Sequence, residues 1–222
     1  MVKHFPSVQV VGGRGDDVAG ATCEVGSGDV VRISGGGDGA GEAMTARVYE
    51  CPCHTRGHVI YKVGDKLLFT GDTLFSGGCG KFFEGSATEM YKNLLETIGS
   101  MPDSTLILPG HEYTTSNLEF ALWIEPDNEP LKERAQWAAE RRAGLWPTVP
   151  STLGLEKQIN PFMRVHEAAL VSRVARVVEL QKATSAAGGS AGAADSEEKQ
   201  LGIRVMDALR TLKNDNAHKK SK

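Results

Sequence analysis

The chain has 222 residues, 40% of them hydrophobic and 24% charged, and a formal net charge of −3. That length suits one large domain or two small ones, and the slightly acidic balance argues against a surface adapted throughout to nucleic acid. No stretch approaches the ~20 apolar residues of a membrane span, Met1–Pro6 lacks the apolar centre of a signal peptide, and four cysteines are too sparse for a disulfide scaffold, so a soluble intracellular protein is the default; a cytoplasmic monomer is the accompanying expectation, which these features do not themselves establish.

Taken in chain order, Val8–Val11 reads as a short strand ended by Gly12 and Gly13. Asp29–Ile33 is a second strand, closed by the glycines at 35–37, and Thr45–Tyr49 alternates into a third. Tyr61–Thr70 spells two strands around a Gly64-Asp65 turn. Ser86 and Glu89 then form a capping box for a helix whose apolar face is Met90, Leu94, Leu95 and Ile98, with Gly99 after it. Thr105–Pro109 is a buried-type strand. Ser116 and Glu119 predict a second capping box, for a helix carrying Leu118, Ala121 and Leu122 and stopped by Pro126. Asn128 caps a helix over Glu129–Ala143. Pro147, Pro150 and Pro161 mark an irregular stretch, and an amphipathic helix follows over Val165–Lys182. The Ala/Gly/Ser-rich run 183–196 reads as a flexible loop, and Lys199–Lys213 as the last helix. The basic tail His218–Lys222 reads as a solvated end rather than a binding arm. Strand–turn–helix order first and helices afterwards imply a layered α/β part followed by an all-helical part, with the boundary near Thr114.

Three Gly- or Pro-flanked turns hold residues that bind metals: His54 in Cys51–His58, Asp72 in Phe69–Phe75, and His111 in Pro109–Tyr113. Each has a plain structural alternative, as a loop histidine, an Asx turn or a turn residue. Together they carry more weight, because Asp72 and His111 directly follow strand-like runs, and polar groups converge at strand ends. The residues alone leave the metal and turn readings open. Cys51-Pro-Cys53-His54 lacks a second Cys/His pair at finger spacing, so structural zinc is not expected there.

Five ordered segments decide the matter: Cys-His-Thr-x-Gly-His (Cys53–His58), Thr-Gly-Asp-Thr-Leu-Phe (Thr70–Phe75), Gly-Cys-Gly-Lys-Phe (Gly78–Phe82), Gly-His-Glu-Tyr-Thr (Gly110–Thr114) and Asn-Pro-Phe-Met-Arg (Asn160–Arg164). They resemble the glyoxalase II family, the hydroxyacylglutathione hydrolases of the metallo-β-lactamase fold. The resemblance implies an αββα sandwich over residues 1–113, here incomplete, and a helical glutathione-binding region over 114–222. It implies hydrolysis of S-(2-hydroxyacyl)glutathione thioesters, S-D-lactoylglutathione above all, in methylglyoxal detoxification. Two metal ions serve that family, usually zinc with iron or manganese tolerated. By resemblance His54 ligates one ion, His111 the other, and Asp72 bridges them, while His58 supports the turn. Lys81, Phe83, Tyr113, Arg210 and Lys213 match positions that contact glutathione. Phe83 stands where many relatives have tyrosine, so one hydroxyl contact is lost.

The family also carries Thr-His-x-His-x-Asp-His upstream of the segment matching Val8–Val11. No such motif stands in these 222 residues. The expectation is a poor metal site, open strand edges, an uncovered apolar face and little turnover. Two alternatives accompany the hydrolase reading: a catalytically impaired fragment, and a non-catalytic glutathione-thioester-binding protein. A related sulfur dioxygenase is disfavoured by the helical C-terminal half and the Arg210/Lys213 pair. A targeting segment, mitochondrial for example, would lie upstream.

Overall fold

The computed structural model of the protein describes residues 8–33, 44–182 and 197–220. The strands are β1 (Val11–Gly13), β2 (Cys23–Val25), β3 (Val30–Ile33), β4 (Met44–Glu50), β5 (Val59–Val63), β6 (Leu67–Gly71), β7 (Leu74–Phe75), β8 (Gly78–Cys79), β9 (Leu106–Pro109) and β10 (Ser151–Thr152). The helices are α1 (Ala87–Tyr91), α2 (Thr114–Ile124), α3 (Glu129–Ala143), α4 (Leu153–Ile159), α5 (Ala168–Lys182), α6 (Glu197–Asn214) and α7 (Ala217–Lys220). Among the described residues no helix is long and apolar enough to cross a membrane.

One six-stranded mixed sheet, in the order β10-β9-β6-β5-β4-β3, positions the site. β4, β5 and β6 form an antiparallel meander, and β9 lies parallel to β6, with Gly71 opposite Pro109. β4, β6 and β9 therefore run the same way, and the chain leaves all three at one edge of the sheet. That edge is where open α/β sheets place ligands. The opposite margin, β3, leaves Val30, Ile33 and the adjoining Met44 exposed.

The expected Ser86 cap is present: Glu89 N–H donates to Ser86 Oγ at 3.4 Å, and Ser86 N–H to Glu89 Oε2 at 2.8 Å. The helix it opens changes pitch. Lys92–Ile98 is π-helical, and Gly99 N–H donates to Leu94 O, five residues back, at 2.9 Å. Asn128 caps α3 as predicted, accepting from Leu131 N–H at 3.1 Å.

Several expectations are corrected. The first strand is Val11–Gly13 rather than Val8–Val11. Val10 is held by the Thr22 side chain, and the glycines that were to end the strand pair in parallel with β2. Ser116 does not cap α2. The helix starts at Thr114, directly after the His111 turn, and Ser116 Oγ donates back to Tyr113 O at 3.1 Å. The proline-rich stretch is not all irregular. Thr152 caps the short α4 by accepting from Leu155 N–H at 3.2 Å, and Ser151–Thr152 pairs with β9. α5 begins at Ala168 rather than Val165. The tail is not simply solvated: α7 forms there, with Ala217 and His218 buried. The predicted loop 183–196 and the glycines at 35–37 lie outside the described residues.

Sheet and helices share one core. Ile60, Leu68, Leu74 and Ile107 cluster with Met90, Leu94 and Ile98 and with Phe120, Phe162, Leu209 and Leu212. Each such side chain contributes about 1.5–3 kcal/mol of apolar burial. The helical half is thus packed into the sheet's core, and it also supplies β10.

Candidate active site

Three loops leaving the common sheet edge bring the predicted residues together. His54 lies in the β4–β5 connection, Asp72 directly after β6, and His111 two residues after β9. His54 Nε2 lies 3.3 Å and His111 Nε2 3.5 Å from the same atom, Asp72 Oδ2. Asp72 therefore stands between the imidazoles. The parallel β6–β9 pairing sets this up, and Gly110 N–H donates to Gly71 O at 2.9 Å. Gly71 adopts φ +48°, a turn that places Asp72 at the edge. Gly80 is required by contact: a Cβ there would lie 1.9 Å from Asp72 O.

The neighbours fix which nitrogen faces inward. His54 Nδ1 lies 3.1 Å from Lys81 O, so it carries the proton and donates, leaving Nε2 with its lone pair toward Asp72. His58 does not join the group. Its Nε2 accepts from Asp72 N–H at 3.1 Å, and its Nδ1 donates to Thr73 Oγ1 at 3.1 Å. Burial first, then nearby His54, pushes its pKa down, which keeps the ring neutral for this bracing role. Cys51 and Cys53 are fully buried, and burial pushes both thiols up to about 12. Cys53 Sγ donates to Ser86 O at 3.5 Å.

A cleft of about 450 Å³ opens beside His54 and Asp72 and reaches Lys81, Phe83, Tyr113, Arg210 and Lys213. Every substrate position expected from the sequence thus lines one cavity. Tyr113 stacks on His111 at 5.3 Å and meets Phe75 edge-on, while the exposed Phe83 ring lies 5.1 Å from His54. Arg210 is only 5% exposed, so it is no solvated helix face. Its Nη1 donates to Cys79 O at 3.2 Å and Gly80 O at 3.4 Å, and its guanidinium lies over Phe162. Lys213 Nζ donates to Asn117 Oδ1 and lies 5.4 Å from the centroid of Phe120. Burial, with Arg210 beside it, pushes Lys213 down to about 7. Neither cation meets a carboxylate among the described residues.

Sequence reasoning missed several contributors to this cleft, among them Asn117, Asn216, His218 and Lys219. Asn117 relays Lys213 to Ser76 O, donating through Nδ2 at 3.0 Å. Asn216 and His218 come from the tail; the only hint was asparagine, a residue tolerant of left-handed turns, just after the last helix. A wider depression of about 870 Å³ lies elsewhere, around Glu125 and Arg164. Those two groups neutralise each other at 3.1 Å, and no predicted site residue reaches it.

A family model described as metallo-beta-lactamase superfamily matches residues 8–111, and one described as hydroxyacylglutathione hydrolase C-terminus matches 112–216. The hydroxyacylglutathione hydrolase of Aliivibrio fischeri (strain MJ11) is 44% identical over 179 residues, covering 81% of this chain and 67% of that protein. This chain belongs to the hydroxyacylglutathione hydrolase family. The cytoplasmic hydroxyacylglutathione hydrolase of Arabidopsis thaliana is 42% identical over 174 residues, 76% of this chain and 65% of that protein. The chain spans about two thirds of the length of these relatives. The crystal structure of ETHE1 from Myxococcus xanthus aligns with a TM-score of 0.50 at 21% identity, over 96% of this chain and 68% of that one, which supports the α/β fold alone.

Membership of the metallo-β-lactamase superfamily implies a metal ion. His54, Asp72 and His111 offer nitrogen and oxygen donors of suitable chemistry, and the His54–Lys81 bond is the outer support a ligating histidine needs. Yet both imidazoles point at one carboxylate oxygen, and no three His, Cys, Asp or Glu side chains among the described residues are arranged to hold an ion. Shared between two ions, the set leaves each with one imidazole and part of a carboxylate, below the three protein ligands of a catalytic zinc. The described residues do not fit a complete metal centre.

Proposed function

We propose that this chain serves the hydrolysis of S-(2-hydroxyacyl)glutathione thioesters, S-D-lactoylglutathione foremost, and that its own part is to recognise the glutathione portion. The observation that carries this reading is the pair Arg210 and Lys213, cations in a cleft that opens onto His54 and Asp72, with no carboxylate partner among the described residues. A buried charge that meets only neutral acceptors is costly, and a ligand carboxylate relieves the cost. Arg210 lies one helical turn before Lys213 on α6, so both reach one anion.

From that anchor the peptide runs past Lys81, Phe83 and Tyr113, and the thioester arrives at His54, Asp72 and His111. The aromatic rings shield the acyl and cysteinyl parts from water, and the orienting bonds of His54 and His58 hold the polar group still. In this reading His54, Asp72 and His111 are the metal-ligand and catalytic positions, zinc is the expected metal, residues 1–113 and 114–222 form two functional halves, and the setting is cytoplasmic, as the name of the Arabidopsis relative suggests. A second reading, binding of glutathione thioesters without turnover, is favoured by the incomplete donor set.

Competition tests the shared part of both readings. S-D-lactoylglutathione is expected to displace a fluorescent S-substituted glutathione from the folded chain, while D-lactate does not. No displacement by the thioester contradicts the proposal.

A further inference from the structure

Helix α7 is too short to be stable alone, yet its place is set. Asn216 adopts φ +51°, reversing the chain after α6, and Lys219 N–H donates to Asn216 O at 2.9 Å. Ala217 and His218 are buried, and the His218 ring meets Phe120 edge-on at 5.7 Å. The same Phe120 lies under Lys213. Asn216, His218 and Lys219 thereby line the same cleft as Lys81, Arg210 and Lys213. The charges there are unbalanced: Lys81, Arg210, Lys213 and Lys219 face a single carboxylate, Asp72, among the described lining residues. One ligand carboxylate satisfies the Arg210–Lys213 pair. Lys219 is exposed and meets no carboxylate among the described residues.

We propose that α7 is a wall of the ligand site and that Lys219 selects for a second carboxylate, so that the cleft reads its ligand as a dicarboxylate at two separated points. The inference rests on the proposed glutathione-thioester reading. A glutathione thioester has one carboxylate on glycine and another on the γ-glutamyl end, the latter beside an ammonium group. Arg210 and Lys213 hold the first, and Lys219 meets the second. The Asn216 side-chain amide, on the same wall, is suited to accept from the ammonium group. Lys219 is thus a specificity residue, remote from the reacting bond, that separates the tripeptide from shorter thiols.

Calorimetric titration of the 222-residue chain with S-methylglutathione and S-methylcysteinylglycine tests it, because the dipeptide keeps the glycine carboxylate and lacks the γ-glutamyl one. The unmodified chain is expected to bind the tripeptide about two- to fivefold more tightly, the range for an exposed charge pair. Lys219→Met is expected to erase that preference and leave dipeptide affinity unchanged, with circular dichroism confirming an intact fold. Lys213→Met weakens both ligands. An undiminished tripeptide preference in Lys219→Met overturns the inference while the glutathione reading stands. If neither ligand binds the unmodified, folded chain, the glutathione reading itself fails and takes this inference with it.

Discussion

At the scale of single residues, Lys213 shows most directly how sequence becomes function. It sits one turn after Arg210, and burial beside that guanidinium pushes it down to about 7. In an unfolded chain a lysine titrates near ~10.4. Between those values the unfolded chain holds a proton that the folded chain has released, so this residue makes stability rise with pH across that window. Below about 7 both states are charged and folding carries the whole penalty. Lys213→Met is expected to remove the pH slope and to raise stability at pH ~6 by roughly 1–3 kcal/mol, read from urea midpoints at acid and alkaline pH. The same change should weaken an anionic ligand about tenfold or more. A bound carboxylate favours the charged amine, so affinity in the unmodified chain should fall as pH rises above neutrality. His58 makes the complementary case. Its ring accepts from Asp72 N–H, and His58→Ala leaves that part-buried donor alone. A loss of about 1–3 kcal/mol in thermal or urea unfolding is expected. An unchanged midpoint would show that the bond does not hold the turn.

At the scale of elements, the Asn160-Pro-Phe-Met-Arg segment acquires a physical task. Asn160 Nδ2 donates to Phe75 O, Gly78 O and Glu156 Oε2 at 3.3, 3.0 and 3.1 Å, and its Oδ1 accepts from Phe162 N–H. Glu156 in turn accepts from Gly77 N–H and Ser151 Oγ. The helical half thereby clamps the β7–β8 hairpin that leads to Gly80 and Lys81, whose carbonyls hold Arg210 and His54. Asn160→Ala should destabilise the chain by about 2–4 kcal/mol and loosen ligand binding with it, since it orphans buried carbonyls at the base of the cleft. Glu156→Gln should be far milder, because the Ser151 hydroxyl can turn to accept instead of donate. Paired melting curves of the two variants check this order. The same bonds explain what was legible. Helices α1 and α3 were readable because Ser86, Glu89 and Asn128 act within their own turns. α4 and β10 were not, because both are short, and β10 is held by β9, far along the chain. The mistaken Ser116 cap shows how a local signature yields when a functional turn sets the helix start.

At the scale of the whole molecule, the sequence disclosed the three site loops because Gly-flanked turns after strands leave a local mark, while their convergence comes from the parallel pairing of β6 and β9. The placing of Arg210 and Lys213 one turn apart on the last long helix was legible as well. The tail was not, because burial of His218 depends on Phe120, distant in sequence. Two imidazoles and one shared carboxylate predict weak metal retention and slow thioester hydrolysis by these 222 residues. After zinc loading and dialysis, metal analysis should find well under one ion per chain, and ordinary turnover of S-D-lactoylglutathione by such a sample would contradict the donor argument. The central claim, a glutathione cleft anchored on paired cations, stands apart from that outcome. Its most direct test is the affinity of the folded chain for S-methylglutathione, measured by calorimetry with Lys213→Met in parallel. Saturable one-to-one binding that weakens about tenfold or more in the variant is the predicted result; no binding, or equal binding by both proteins, would contradict it.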